Sequence, residues 1–282
     1  MEIRVDAPNA REIRVTVDGA PDARLRPDGG VWRGQVADGA AYGLIVDDGV
    51  RTLVDPLATA VRFSPYHDRD AARPGRRPNH EIAPRAVAQP WPARRPSRPT
   101  SRPLVISELH VRGMTKLRPV PDAGTFAGLV DDLPRLASLG VSVIELLPVH
   151  QFDPAEGNYW GYMALVFGAV HQQYASGVDA NAELADLIGA AHDHDIEVWL
   201  DIVVNHTTEE DEHGPTYNLR GLADREYYAR DAHDDYLDDA GCGNVVDTTS
   251  PIAQSLIMAA LERFAGLGVD GFRFDLATIL AR

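Results

Sequence analysis

From residue 104 onward the sequence alternates between short apolar runs and longer amphipathic segments. Four runs have the length and composition of buried strands: 104–110, 141–148, 196–204 and 269–275. Three segments between them have helical periodicity: 125–139, 181–194 and 250–266. A β-α-β-α-β-α-β order of this kind predicts a parallel sheet covered by helices.

Two long segments interrupt this alternation, at residues 149–180 and 205–249. They follow the second and the third predicted strands, and connections of such length usually carry function. Ligands of parallel sheets bind at the carboxyl ends of the strands, both in open sheets and in barrels. We therefore expect the functional residues at these strand ends and in these two segments.

The first 103 residues have a different pattern. Short alternating segments are separated by turn signals such as Asp18-Gly19, and they predict strands at 2–5, 12–17, 31–36 and 41–46. We interpret residues 1–63 as a small antiparallel β-sandwich. Residues 64–103 hold nine of the 20 prolines together with many arginines. This segment is predicted to be a linker or an extended strap with solvated arginines, and 104–282 a separate domain.

Composition excludes several classes of partner. The 27 cationic and 42 acidic residues give a net charge of −15, which argues against binding to nucleic acid. The chain has no apolar run close to the ~18 residues that a membrane span needs. The N-terminus does not have the pattern of a signal peptide, and the single cysteine, Cys242, fits a reducing compartment. We expect a cytoplasmic protein. His192 and His194, which end the second predicted helix, are expected to face solvent.

Two predicted strands end in residues that can carry chemistry. The third leads into Asp201, Asn205 and His206, and the fourth contains Arg273 and Asp275. The strand period of two places Arg273 and Asp275 on the same face. An arginine beside a carboxylate keeps the carboxylate ionised, which suits a nucleophile. A structural ion pair is the alternative for this pair taken alone.

These motifs together resemble a known family. Asp201-x-x-x-Asn205-His206 and Gly271-Phe-Arg-Phe-Asp275 resemble the first two signature regions of the α-amylase superfamily, which are glycoside hydrolases on a (β/α)8 barrel. The run Asn158-Tyr-Trp-Gly-Tyr162 is similar to the same superfamily. Segments at 106–115, 214–228 and 241–244 narrow the resemblance to the glycogen debranching and isoamylase branch. The resemblance implies a glycogen-binding-type β-sandwich followed by the first half, the first four strands, of a (β/α)8 barrel.

The resemblance also implies roles for individual residues. Asp275 would be the nucleophile of a retaining α-1,6-glucosidase, with Arg273 holding it ionised. His206 would hydrogen-bond the sugar and Tyr162 would stack on it, although each could instead be a packed structural residue. The remaining members of the implied substrate-binding set are Trp160, Asp201 and Asn205. The implied partner is glycogen or another α-glucan. The sequence has no metal or cofactor motif; some relatives bind calcium, but no ligands can be assigned in this chain.

The residues that resemble the family make up only part of its active site. The family places its general acid, a glutamate, after the fifth strand and a stabilising aspartate after the seventh. A (β/α)8 barrel needs ~250 residues, whereas the sequence after residue 103 reaches only the fourth strand. We therefore expect the chain to be part of a debranching enzyme and to be inactive alone. The open alternatives are a branching enzyme, a maltooligosyltrehalose trehalohydrolase, a glucan-binding protein without catalysis and a fragment that does not fold stably.

Overall fold

The computed structural model describes residues 1–78, 80–157 and 159–280. Eight strands form its N-terminal part: β1 (Glu2–Asp6), β2 (Ile13–Val17), β3 (Ala23–Arg24), β4 (Arg26–Asp28), β5 (Val31–Gln35), β6 (Ala41–Val46), β7 (Ala60–Arg62) and β8 (Arg85–Val87). They form two antiparallel sheets, of order β1-β5-β4 and β3-β2-β6-β8-β7. The four strands predicted in residues 1–63 are confirmed by β1, β2, β5 and β6.

The two sheets share one hydrophobic core. Alternate residues of the first sheet, such as Ile3 and Val5, are buried together with Val15 and Leu44 of the second. Trp32 on β5 is also buried, and its indole nitrogen donates to the carbonyl of Ala7 at 3.0 Å. The period-two pattern of each strand therefore determines which face enters the core.

Residues 64–103 contain more structure than the predicted linker. β8 belongs to this segment and lies between β6 and β7, so the second sheet continues beyond the predicted boundary at residue 63. A 3-10 helix, Arg69–Ala72, lies in the same segment. Farther along, Trp91 donates to the carbonyl of Arg263 at 3.2 Å. A three-residue strand beside prolines gives too short a pattern to be recognised from sequence.

The later part of the chain is built on a parallel sheet. Its strands are β9 (Ile106–Leu109), β10 (Val143–Leu146), β13 (Glu197–Ile202) and β14 (Gly271–Phe274), which pair in chain order and all in parallel. The helices are α1 (Val111–Thr115), α2 (Phe126–Val130), α3 (Leu133–Ser138), α4 (Ala180–Asp193), α5 (Leu219–Tyr227), α6 (Pro251–Gly266) and α7 (Ala277–Leu280). The four predicted strands and the order of the elements are confirmed.

The predicted helix at 125–139 is two helices. Thr125 caps α2 by accepting from the backbone nitrogen of Gly128. Asp131 and Asp132 keep right-handed helical dihedrals, but the nitrogen of Asp132 donates three residues back, to the carbonyl of Leu129, before α3 begins. Pro134 lies in the first turn of α3, where its missing N–H costs no helical hydrogen bond. The backbone then turns at Gly140, whose positive φ of 85° suits glycine.

Both long segments contain regular structure. Residues 149–180 include an antiparallel hairpin of β11 (His150–Phe152) and β12 (Ala164–Val170), and 205–249 include α5. All of β12 is buried, because Phe167 and Val170 pack into the core of the parallel sheet while Leu165 and Val166 pack into the N-terminal core. The N-terminal sheets and the parallel sheet are thus joined through β12. No helix of the described part of the chain is both long and apolar enough to cross a membrane.

Candidate functional site

The site lies where β13 and β14 end. Asp201 and Arg273 are register neighbours on these two strands. The Nη1 atom of Arg273 donates to Oδ1 of Asp201 at 2.9 Å and to Oδ1 of Asp275 at 2.8 Å. A single guanidinium nitrogen therefore bridges two carboxylates. Their hydrogen bonds raise the pKa of Arg273, although burial acts in the opposite direction.

Tyr162, in the long segment 149–180 that follows β10, also belongs to this cluster. Its hydroxyl donates to Oδ2 of Asp201 at 2.7 Å, so both carboxylate oxygens of Asp201 accept a hydrogen bond. Asp201 is buried, and burial raises the pKa of its carboxyl even though Tyr162 and Arg273 act to lower it. The arrangement keeps Arg273 fixed beside Asp275.

The backbone around Asp275 is held to the end of β13. Its amide nitrogen donates to the carbonyl of Ile202 at 3.0 Å, and its carbonyl accepts from Nδ2 of Asn205 at 3.2 Å. Asn205 is fully buried, and its side chain fixes the backbone where β14 ends. The Asp275 side chain is 15% exposed, which leaves its carboxylate accessible to a ligand at the carboxyl end of the sheet.

His206 has the clearest unmet hydrogen-bonding capacity at the site. Its residue is 2% exposed, and within the described residues neither ring nitrogen forms a hydrogen bond of normal geometry, although the backbone of Tyr162 approaches the ring. Burial lowers the pKa of the imidazole, which favours the neutral ring with one donor and one acceptor. Buried polar atoms of this kind are normally satisfied, so the ring is suited to bind a polar ligand.

An aromatic group lies before Tyr162 in the chain. Trp160 is 55% exposed and meets Tyr159 edge to face, with ring centroids 5.6 Å apart. His110, which follows β9, stacks on Tyr159 with centroids 4.2 Å apart. Asn158, the first residue of the predicted aromatic run, is outside the described residues. Trp160 is therefore part of an exposed aromatic surface beside His110.

The sequence interpretation missed Glu145 on β10. The run 141–148 was interpreted as apolar on both faces, yet Glu145 lies at the same level of the sheet as Glu108 on β9. Burial raises the pKa of the Glu145 carboxyl, and the charges of Asp201 and Glu108 add to this effect. A single acidic residue inside an apolar strand was the signal available.

The described residues contain no group of three His, Cys, Asp or Glu side chains placed to hold a metal ion. Cys242, in the long segment 205–249 after β13, is partly buried, and its sulfur lies 3.7 Å from the carbonyl oxygen of Ala240.

The chain is similar to known proteins in sequence and in fold. The family model for the α-amylase catalytic domain matches residues 112–239. A Haemophilus influenzae protein named glycogen operon protein GlgX homolog is 35% identical over 254 residues, which are 82% of this chain and 38% of that protein. A Klebsiella pneumoniae protein named glycogen debranching enzyme is 35% identical over 290 residues, which are 90% of this chain and 44% of that protein.

The fold is similar to that of a solved pullulanase. The Paenibacillus barengoltzii pullulanase in complex with maltohexaose and α-cyclodextrin superimposes with a TM-score of 0.78 at 24% identity, covering 99% of this chain and 47% of that one. The chain spans about two fifths of the length of the two curated relatives. Residues 112–239 match the α-amylase catalytic domain, and most of the chain is similar in sequence to proteins named for glycogen debranching.

Proposed function

We propose that this chain carries the nucleophile side of a retaining glycoside hydrolase site that cleaves α-1,6 branch linkages in glycogen or limit dextrin. The observation that carries the proposal is the bridge from Arg273 to both Asp201 and Asp275, with Tyr162 bonded to Asp201. The names of the curated relatives support the α-1,6 preference over a branching enzyme or a trehalose-releasing hydrolase.

The proposed reaction begins with attack by Asp275. One of its carboxylate oxygens forms a bond to the anomeric carbon of the glucosyl unit, while the bond from that carbon to the glycosidic oxygen breaks. The departing oxygen takes a proton from a general acid, a second carboxyl that retaining enzymes place about 5 Å from the nucleophile. The family resemblance assigns this acid to a later strand. Water then releases the sugar and regenerates the Asp275 carboxylate.

The other site residues would bind and orient the sugar. His206 has free ring nitrogens for the sugar hydroxyls, and Tyr162 has a ring that can lie against the apolar face of a pyranose. Trp160 offers an exposed aromatic face for a further glucosyl unit. Asp201 and Asn205 would keep Arg273 and Asp275 in place. The maltohexaose bound by the related pullulanase supports an α-glucan as the ligand.

We further propose that the sheet β9-β10-β13-β14 is the first half of a (β/α)8 barrel, residues 104–282. The parallel pairing in chain order and the intervening helices support this assignment. The N-terminal sheets would be a carbohydrate-binding-type module, residues 1–63, to which β8 is added from the segment 64–103. A cytoplasmic location accords with glycogen as the substrate and with the single cysteine.

Release of fluoride from α-maltosyl fluoride tests the proposal, because fluoride leaves without a proton and the resemblance assigns the general acid to a later strand. We expect the purified chain to release fluoride, and the variant Asp275→Asn to lose this activity while it still binds maltohexaose. Unchanged release of fluoride by Asp275→Asn would contradict the assignment of the nucleophile. Saturable binding of maltohexaose without release of fluoride by the unaltered chain would favour a binding function.

A further inference from the structure

The backbone on both sides of His206 is held by hydrogen bonds, whereas neither ring nitrogen forms one of normal geometry within the described residues. On the preceding side, the carbonyl of Asn205 accepts from the backbone nitrogen of Val246 at 2.8 Å. On the following side, Thr207 is bonded to the side chain of Asn244. The residues that hold Thr207 therefore hold the backbone from which the imidazole projects.

Thr207 is held through its backbone and its side chain. Its backbone nitrogen donates to Oδ1 of Asn244 at 3.0 Å, and its carbonyl accepts from Nδ2 of the same residue at 3.1 Å. Its hydroxyl lies 2.6 Å from the hydroxyl of Tyr228, which closes α5. The side chains of Asn244 and Tyr228 both belong to the long segment 205–249 that follows β13.

Tyr228 connects Thr207 to a buried carboxylate. The Tyr228 hydroxyl donates to Oε2 of Glu209 at 2.6 Å, and because it has only one proton, it must accept from the Thr207 hydroxyl. Tyr228 and Glu209 are both buried, and burial raises the pKa of Tyr228 well above its ordinary value, so the phenol keeps that proton. The direction of the two hydrogen bonds is thereby set.

Glu209 is itself immobilised at the start of α5. Its carboxylate accepts from the backbone nitrogens of Tyr217 at 2.6 Å, Asn218 at 2.9 Å and Arg220 at 2.8 Å. A carboxylate is favoured at this position because backbone N–H groups are unsatisfied at a helix N-terminus. The chain of contacts thus runs from a fixed helix end through one phenol to the residue beside His206.

We propose that Tyr228 is a positioning residue for His206, acting through the hydrogen bonds from Thr207 to Tyr228 and from Tyr228 to Glu209. This inference rests on the proposed function, because it gives His206 the role of a sugar ligand. It assigns Tyr228, at the far end of α5, to the substrate site without any contact between Tyr228 and the sugar. The hydroxyl is the part of the side chain that carries this role.

The adjacent residue provides a matched control. Tyr227 is equally buried, but its hydroxyl faces the carbonyl of Asp6 in β1 at the long distance of 3.4 Å. Tyr228→Phe and Tyr227→Phe therefore remove the same atom from neighbouring buried rings. Thr207→Val and Thr207→Ser form a second pair, in which the serine keeps the hydroxyl and the valine keeps the shape.

Two measurements on the 282-residue chain test the proposal, namely the NMR resonances and pKa of the His206 imidazole, and the dissociation constant for maltotetraose. We expect Tyr228→Phe and Thr207→Val to move the His206 pKa toward its ordinary value and to weaken maltotetraose binding about tenfold. Tyr227→Phe and Thr207→Ser should match the unaltered chain in both measurements.

Three outcomes separate the possibilities. Unchanged His206 resonances and binding in Tyr228→Phe would overturn the positioning role. Equal effects of Tyr228→Phe and Tyr227→Phe would also overturn it, because both would then reflect a general loss of packing. If the unaltered chain binds no maltotetraose, the proposed function fails, and the His206 resonances in the four variants still decide whether Tyr228 positions the ring.

Discussion

Arg273 and Asp201 are register neighbours on adjacent parallel strands, and the guanidinium nitrogen that bonds Asp201 at 2.9 Å also bonds Asp275 at 2.8 Å. The two carboxylates are thus brought together around one positive charge at the carboxyl end of the sheet. Removing that charge would leave two acidic groups close together with no cation between them, which destabilises their ionised forms.

Replacement of Arg273 should therefore abolish most of the activity. We expect Arg273→Gln to reduce kcat/KM for release of fluoride from α-maltosyl fluoride by a factor of about 100 or more, since an electrostatic partner of the reacting group is lost. Arg225→Gln is the control, because Arg225 forms an exposed ion pair with Asp234 away from the cluster. Similar losses in both variants would contradict the role given to Arg273.

Loss of the Tyr162 hydroxyl should change the pH profile. Burial raises the pKa of Asp201, and the hydrogen bond from Tyr162 acts to lower it. In Tyr162→Phe this pKa rises further, and Asp201 becomes protonated at a higher pH, where it no longer pairs with Arg273. The acidic limb of the kcat/KM profile for release of fluoride from α-maltosyl fluoride should shift to higher pH. An acidic limb identical to that of the exposed control Tyr66→Phe would refute this role of the hydroxyl.

Glu156 should make stability depend on pH. Burial raises the pKa of its carboxyl from 4.5 to about 7 in the folded protein. The folded state therefore binds more protons than the unfolded state between these values, and this contribution to stability is lost as the pH rises from 4.5 through 7. Glu156→Gln should be more stable than the unaltered chain at pH 8 by about 2 kcal/mol, after allowance for partial exposure.

Urea denaturation between pH 4 and pH 8 measures this difference. Glu212→Gln, at an exposed position, is the matched control and should follow the unaltered chain at every pH. If Glu156→Gln has the same pH dependence as that control, the carboxyl of Glu156 does not titrate in the expected range.

Arg69 should be essential for stability. It lies in the segment 64–103 and contacts both long segments, 149–180 and 205–249. Its guanidinium bonds the buried Asp153 at 3.3 Å and the hydroxyl of Thr208 at 2.8 Å. Arg69→Met leaves Asp153 without this cation and should cost about 3–5 kcal/mol in the free energy of unfolding. Arg62→Met removes an exposed ion pair with Asp18 and should cost far less. Equal losses in urea denaturation would show that the buried contacts of Arg69 add nothing.

The strand ends could be predicted because they follow from local patterns. Period two places Arg273 and Asp275 on one face, and parallel strands bring Asp201 to the same edge. The hydrogen bond from Tyr162 to Asp201 was not predicted, because it depends on how residues 149–180 fold. The run ALVFGAV of β12 has the apolar composition of a fully buried strand, yet it lies inside the segment 149–180, for which no strand is predicted.

Local sequence patterns do not predict contacts between distant parts of the chain. His192 was expected to face solvent, but it is buried and lies 2.8 Å from Oδ2 of Asp270, 78 residues away. That prediction was wrong, because the helix end packs against the residue that precedes β14. β8 was missed for the same kind of reason, since its pairing with β6 is a property of the sheet.

The central claim is that Asp275 is the nucleophile, and covalent trapping tests it most directly. With 5-fluoro-α-glucosyl fluoride, attack by the carboxylate forms the bond to the anomeric carbon while fluoride leaves, which needs no general acid. Peptide mapping by mass spectrometry should find the fluoroglucosyl mass on the peptide that contains Asp275, and no adduct in Asp275→Asn. An adduct on another carboxylate, or no adduct in the unaltered protein, would contradict the assignment.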